Sequence, residues 1–227
     1  KSSELQKIGN VAKKDTGTTV KFWPDAKYFD SVNIATASLT HLLKAKAVLC
    51  PGLKVSFHDE FNDNDYEWFY SGGLSDYLAT NVVSQTLLEA PFQAEFTTED
   101  MCCDFAVTWQ ESSLQTVTES YVNLIPTVQG GTHVNGMRAG ILDAVKEFCH
   151  IREIMPRGLQ LKQDDIWEGV SYVISFKMTE AQFAGQTKER LNSRQAATFV
   201  QSMARDGFSL WLNEHLKQAE LLVDHFI

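Results

Sequence analysis

Tyr121-Val122-Asn123-Leu124-Ile125-Pro126-Thr127-Val128-Gln129-Gly130-Gly131-Thr132-His133-Val134-Asn135-Gly136-Met137-Arg138 decides how this chain is read. Its first residues close a strand candidate that runs over Thr116–Pro126. A glycine-rich turn follows, and a helix then grows with Met137, Ile141, Val145, Phe148 and Cys149 on one face. Thr132 is the expected N-cap. The glycine pair reads two ways. Backbone N–H groups before a helix N-terminus can hold an anion. Glycine also permits positive φ and close packing in a turn, and that structural reading is favoured.

Outward from this unit the patterns alternate. Upstream, Phe92–Phe96 and Met101–Gln110 are strand candidates, the second rich in alternating apolar residues. Downstream, Pro156 and Gly158 break the chain, and 163–168 reads as a short helix or capped turn. The run Tyr172–Met178 is a strand. From Ser193 the set Ala196, Phe199, Val200, Met203, Phe208, Trp211 and Leu212 keeps helical period, with Gly207 marking a bend. Residues 220–227 start one more helix. Near the beginning, 4–25 reads as a hairpin, with Val20 and Phe22 alternating against polar neighbours. A helix over 38–49 stops at Pro51-Gly52. Strands at 53–57 and 66–70 flank a polar turn, Gly72-Gly73 marks a change of module, and a short helix runs over 74–83. The class is α+β.

The 227 residues carry a formal charge of −9. That balance excludes non-specific coating of nucleic acid, which needs lysine and arginine against phosphate. Cys50, Cys102, Cys103 and Cys149 form no CxxC pair and no zinc-spaced cluster with histidine. Cys102-Cys103 read as small residues of a strand. There is no signal peptide, no glycosylation sequon and no apolar run of membrane-spanning length. These features imply a reduced, cytoplasmic protein. The opening Lys1-Ser2-Ser3 and the close inside a helical pattern read as a piece of a longer chain.

No phosphate loop, GxSxG elbow or HExxH motif occurs. The acidic pairs Asp59-Glu60, Glu99-Asp100 and Asp164-Asp165 sit in turns and read as solvated caps. His133 is a functional candidate at a helix start, whereas His41 and His58 read as packed or exposed. One further loop stands out: Phe183-Ala184-Gly185-Gln186-Thr187-Lys188-Glu189-Arg190-Leu191, between the strand ending at Met178 and the helix from Ser193. A lysine at such a tip is either a solvated surface charge or a point charge aimed at an anion.

The stretch 121–138 is very similar to the signature of the ATPase subunits of type IIA topoisomerases. The loop 183–191 resembles that family's Gln-Thr-Lys loop. Gly17–Asp25 and Leu39–Ala47 resemble the segment before it, and Ile125-Pro126-Thr127 with Pro51-Gly52 resembles the topoisomerase IV branch more than the gyrase branch. The resemblance runs through essentially the whole chain.

It implies three parts. Residues 1–72 would be the end of a GHKL-type ATP-binding domain. Residues 73–215 would be a transducer domain like ribosomal protein S5 domain 2, a mixed sheet with helices on one face. Residues 216–227 would begin the linker to the DNA-cleavage core. Lys188 would reach the γ-phosphate of ATP with Gln186 beside it, and Thr18 would belong to the adenine pocket. Arg194, Arg205 and Lys217 would be DNA-facing candidates, and no residue a metal ligand. ATP and Mg2+ would be cofactors of the intact protein. The catalytic glutamate, magnesium-binding asparagine, adenine-reading aspartate and glycine-rich lid would precede Lys1, so this piece alone is expected neither to turn over ATP nor to hold it. Partners would be the topoisomerase's A subunit, DNA and a second B subunit, with no membrane. Other readings are a gyrase equivalent, an ATP-gated module without DNA passage, and a plain α+β binding domain. The switch reading requires the loop 183–190 to project toward the surface where residues 1–72 pack, with Lys188 outside any core salt bridge.

Overall fold

Two strands organise the main body, β4 (Met101–Trp109) and β7 (Val170–Met178), paired antiparallel from Met101↔Met178 to Trp109↔Val170 in the computed structural model. The structure describes residues 4–14, 20–111, 115–156 and 158–227. Both strands are near-continuous apolar runs, the pattern of strands covered on two faces. β3 (Phe92–Thr97) pairs antiparallel on the free edge of β4. β5 (Thr118–Val122) pairs parallel to β7, and β6 (Ile125–Pro126) closes the other edge antiparallel to β5. The sheet is therefore mixed, in the order β3-β4-β7-β5-β6.

One expected strand divides. Asn123 and Leu124 take φ of 49° and 66° and form a tight two-residue turn, so 121–125 is the end of β5 and the start of β6. Asn123 is tied down within the turn: its side chain donates to Met178 O at 2.9 Å and accepts from Met178 N at 3.0 Å.

One face of the sheet carries Phe105, Val107, Trp109, Ile174 and Phe176 against α3 (Thr132–Ile151), α5 (Arg194–Glu214) and α6 (Leu216–Phe226). The helices are not confined to that face. The alternate residues Ala106, Tyr121 and Val173 pack against α2 (Gly73–Asn81) and the second half of α1 (Thr36–Leu49). The reason is the apolar character of β4 and β7 on both sides, which one helical layer would leave half exposed to water. The short α4 (Gln163–Trp167) accepts the indole N–H of Trp109 at Ile166 O, 2.7 Å away.

Packing of α3 on α5 needs bare backbone. A Cβ on Gly136 would sit 2.5 Å from Ala197 O, and one on Gly140 would strike the backbone of Gln201 and Arg205. Gly207 does not break α5, which runs on through it; the missing side chain makes room for the Phe96 ring. α6 buries Ala219, Leu222, Val223 and Phe226 in the same core, with Phe226 centred 5.7 Å from the Trp109 ring.

The chain falls into two units, Lys1–Leu39 and Thr40–Ile227. The hairpin expected over 4–25 is not formed: its described residues, 4–14 and 20–25, carry no strand. Leu5, Ile8, Val20 and Trp23 are exposed. Alternation is a local preference, and a strand becomes stable only where a ladder partner satisfies its backbone. The strands expected at 53–57 and 66–70 are β1 (Val55–Asp59) and β2 (Asn64–Trp68), which pair only with each other.

Candidate functional site

The loop after β7 is a narrow stem with a turned tip. Phe183 and Leu191 form an antiparallel bridge. Ala184 N donates to Arg190 O at 2.9 Å, and Asn192 N to Gln182 O at 2.7 Å. At the tip Lys188 N donates to Gly185 O at 3.1 Å, closing a four-residue turn. Lys188 takes φ of 58°, a left-handed conformation that costs a non-glycine residue about 1 kcal/mol. Its Nζ lies 5.9 Å from the Phe183 ring centre. Gln186 and Lys188 are exposed, and Lys188 makes no ion pair among the described residues. The ammonium is outside any core salt bridge, open to an incoming anion.

The stem is fastened to the turn before α3. Gly131 and Leu191 form a parallel bridge. Leu191 N donates to Gly130 O at 3.1 Å, Thr132 N to Leu191 O at 3.0 Å, and Gln129 N to Glu189 O at 3.0 Å. Gln129 Nε2 also donates to the Glu189 carboxylate at 2.6 Å. Gly131 has φ of 140°, and a Cβ there would meet Leu191 N at 2.5 Å. The glycine pair thus serves close packing between two loops. Thr132 is not the cap: Gly131 holds that position, and the Leu191 carbonyl takes the N–H of Thr132, one of the first-turn donors with no partner inside the helix.

His133 lies inside the body. It is fully buried, stacks on Phe176 at 6.1 Å, and has Nε2 3.4 Å from Thr127 Oγ1. Thr127 Oγ1 in turn lies 2.7 Å from Ser120 Oγ. Burial lowers the His133 pKa to about 4, so the imidazole is neutral near pH 7 and ties the glycine turn to β5. His41 and His58 are exposed, one of the two states expected of them.

Beside the glycine turn a cavity of about 540 Å³ is lined by Glu119, Gln129, Arg138, Tyr172 and Arg190, among others. Glu119 accepts from Tyr77 Oη at 2.9 Å and from Tyr121 Oη at 2.6 Å. Burial, and then the adjoining Glu119, push both phenols up, so they stay donors. Arg138 lies 5.1 Å over the Trp167 ring.

The other expected residues do not converge on this loop. Arg194 and Arg205 are exposed on α5, roughly three turns apart on one side of the helix. Arg205 is neutralised by Asp206 at 3.0 Å. Lys217 is exposed on α6. Thr18 lies outside the described residues. Among the described residues no group of three or more His, Cys, Asp or Glu side chains is placed to hold a metal ion. Sequence reasoning missed two features. Glu119 and Tyr121 sit two apart on one strand face, a legible signal, but Tyr77 is 42 residues away from Glu119. The Gln129–Glu189 pair spans 60 residues and had no local signature.

Comparison with known proteins places this geometry. The family model for DNA gyrase B matches residues 73–227. The chain is 52% identical to the B subunit of DNA topoisomerase 4 of Escherichia coli strain K12 over 225 residues, covering 99% of this chain and 36% of that protein. It is 32% identical to the B subunit of DNA gyrase of Archaeoglobus fulgidus over 216 residues, covering 94% of this chain and 33% of that protein. The solved topoisomerase IV ATP-binding domain of Francisella tularensis, in complex with a small-molecule inhibitor, superposes with a TM-score of 0.85 at 36% identity, covering 99% of this chain and 61% of that one. The chain spans about a third of the length of the curated relatives it matches. The glycine turn, the helix it starts and the lysine loop fastened to it all lie inside the matched segment, and the chain belongs to the DNA gyrase B family of type IIA topoisomerase subunits.

Proposed function

We propose that this chain is part of the ATPase subunit of a topoisomerase IV, coupling ATP binding and hydrolysis to passage of one DNA duplex through another, in decatenation, relaxation and chromosome segregation. Residues 1–72 are the end of the GHKL domain, 73–215 the transducer, and 216–227 lead toward the DNA-cleavage core. The cytoplasmic holoenzyme contains the topoisomerase IV A subunit, a second B subunit and DNA, and it uses ATP with Mg2+. The higher identity to the topoisomerase 4 protein than to the gyrase protein supports this over a gyrase equivalent.

The observation that carries the reading is the exposed Lys188 ammonium, without an ion pair among the described residues, on a tip whose stem is bonded to the start of α3. Such a group fits a phosphate oxygen. A γ-phosphate is multiply charged, and a lysine meets it as a point charge with three donors. Gln186, two residues earlier on the same exposed tip, supplies a neutral donor. Hydrolysis removes the lysine's partner, and loop and transducer are then released. Thr18 contributes to the adenine pocket, and Arg194, Arg205 and Lys217 face DNA. Magnesium, when bound, neutralises charge on the phosphates.

The test is Lys188→Ala in the full-length protein. ATP turnover and decatenation should both fall about a hundredfold, the size seen when one charge-stabilising donor is removed. Near-normal turnover with normal decatenation would sink the reading.

A further inference from the structure

Lys188 has a carboxylate as its next neighbour in the chain, Glu189. A carboxylate at that position is a hazard to a phosphate sensor in two ways. Turned toward the tip, it pairs with the ammonium and quenches it. It also repels the phosphate that the ammonium is meant to attract. The structure shows where this carboxylate goes. Gln129 Nε2 donates to Glu189 Oε2 at 2.6 Å, while Gln129 N donates to Glu189 O at 3.0 Å. One residue thus holds both the backbone and the side chain of Glu189. Lys188 itself holds its Nζ 5.9 Å from the Phe183 ring centre and makes no ion pair with Glu189.

We propose that Gln129 is a positioning residue for Lys188: it draws the Glu189 carboxylate away from the tip, leaving the lysine charge available to a terminal phosphate. This rests on the reading of Lys188 given above. A neutral amide suits the task. It donates to the carboxylate without adding a cation that would compete with Lys188 for phosphate. The anchor is also well placed, since Gln129 immediately precedes Gly130-Gly131, and Gly130 O accepts from Leu191 N. The carboxylate is therefore held against a fixed point of the fold, the start of α3.

The prediction separates charge steering from simple loop support. In the full-length protein, Gln129→Ala should lower kcat/KM for ATP about tenfold, the effect of losing one hydrogen bond to a charged group. The change should appear mainly as a raised KM, with thermal unfolding close to the parent because both side chains lie at the surface. Glu189→Gln should stay within about twofold of the parent, since it removes the interfering charge together with its anchor. The double variant Gln129→Ala/Glu189→Gln should return to the level of Glu189→Gln alone. If Gln129 only braces the loop, the double variant stays as weak as Gln129→Ala, and the proposal is overturned. A Gln129→Ala protein within about twofold of the parent overturns it as well. Lys188→Ala, run alongside, distinguishes the two levels: turnover lost there but unchanged in Gln129→Ala removes only the positioning role, whereas turnover kept in Lys188→Ala removes the phosphate-sensing reading on which it rests.

Discussion

Two titratable residues, His133 buried and Asp104 half-buried, work against each other in mild acid. His133 is held neutral by burial, its pKa lowered to about 4 against an ordinary 6.5. Between those values the unfolded chain binds a proton that the folded chain refuses, so stability falls as pH drops from 6.5 to 4. Asp104 has the opposite sign. Burial, and then the charge of Glu95, raise its pKa to about 6 from 3.8. The folded chain binds the extra proton, so this contribution is complete below 3.8 and is lost as pH rises through 6. Each is worth on the order of 3 kcal/mol at most, at about 1.4 kcal/mol per pKa unit. Over the window from 4 to 6 they largely offset. Asp104→Asn should therefore unmask His133, with chemical-denaturation stability falling more steeply from pH 6.5 to 4 than in the parent. His133→Gln should reverse the slope over the same range. A parent-like slope in both variants would refute the assignment. His133 was legible as a special residue at a helix start, but not as a buried one. Its burial comes from Phe176, far along the chain and visible only once β7 lies beside β5.

At the scale of elements, the α3–α5 contact turns on Gly136 and Gly140, one helical turn apart, which place bare backbone on one stripe of α3. Gly136→Ala gains about 1 kcal/mol of helix propensity. Against that stands a methyl 2.5 Å from Ala197 O, a fixed backbone atom, so the two helices must separate. Overpacking of this kind costs about 1–3 kcal/mol, and relief would move α5 and the Lys188 loop before it. Gly136→Ala should lower Tm by several degrees, about 2–4 °C per kcal/mol for a domain of this size. Gly185→Ala, in open space at the loop tip, should leave Tm unchanged, and equal shifts in the two would reject the packing account. The elements themselves were largely readable: the period of α3 and α5 and the apolar runs of β4 and β7 define them locally. The tight turn at Asn123-Leu124 was not: Asn123 is a residue that tolerates positive φ, but it stands alone among apolar neighbours and its hold comes from Met178, 55 residues on. The lysine loop was legible as a loop, while its fastening to the glycine turn required Leu191 to meet Gly131.

For the molecule as a whole, the question is where the sheet-and-helix body ends. The sequence pattern over 220–227 shows a helix beginning but not what it packs on, since an amphipathic stripe names a face and not its partner. The structure seats α6 in the same core as α3 and α5. Phe226 is 6% exposed and lies 5.7 Å from the Trp109 ring, and Trp109 stacks in turn on Phe208 of α5 at 5.7 Å. A displacement of α6 would therefore act first on β4 and α5, and α5 follows directly on the loop that carries Lys188. That is a shorter mechanical route than a flexible tether, which would absorb motion as entropy. If α6 belongs to the body, Phe226→Ala should cost about 3 kcal/mol by denaturant unfolding, the lower end for truncating a buried phenylalanine. The exposed neighbour Leu221, on the same helix, should cost well under about 1 kcal/mol when replaced by alanine. A neutral Phe226→Ala would mean that α6 is only resting on the domain in passing. A cost confined to Phe226, with Leu221→Ala silent, would make α6 a structural part of the sheet-and-helix body rather than an appendage to it.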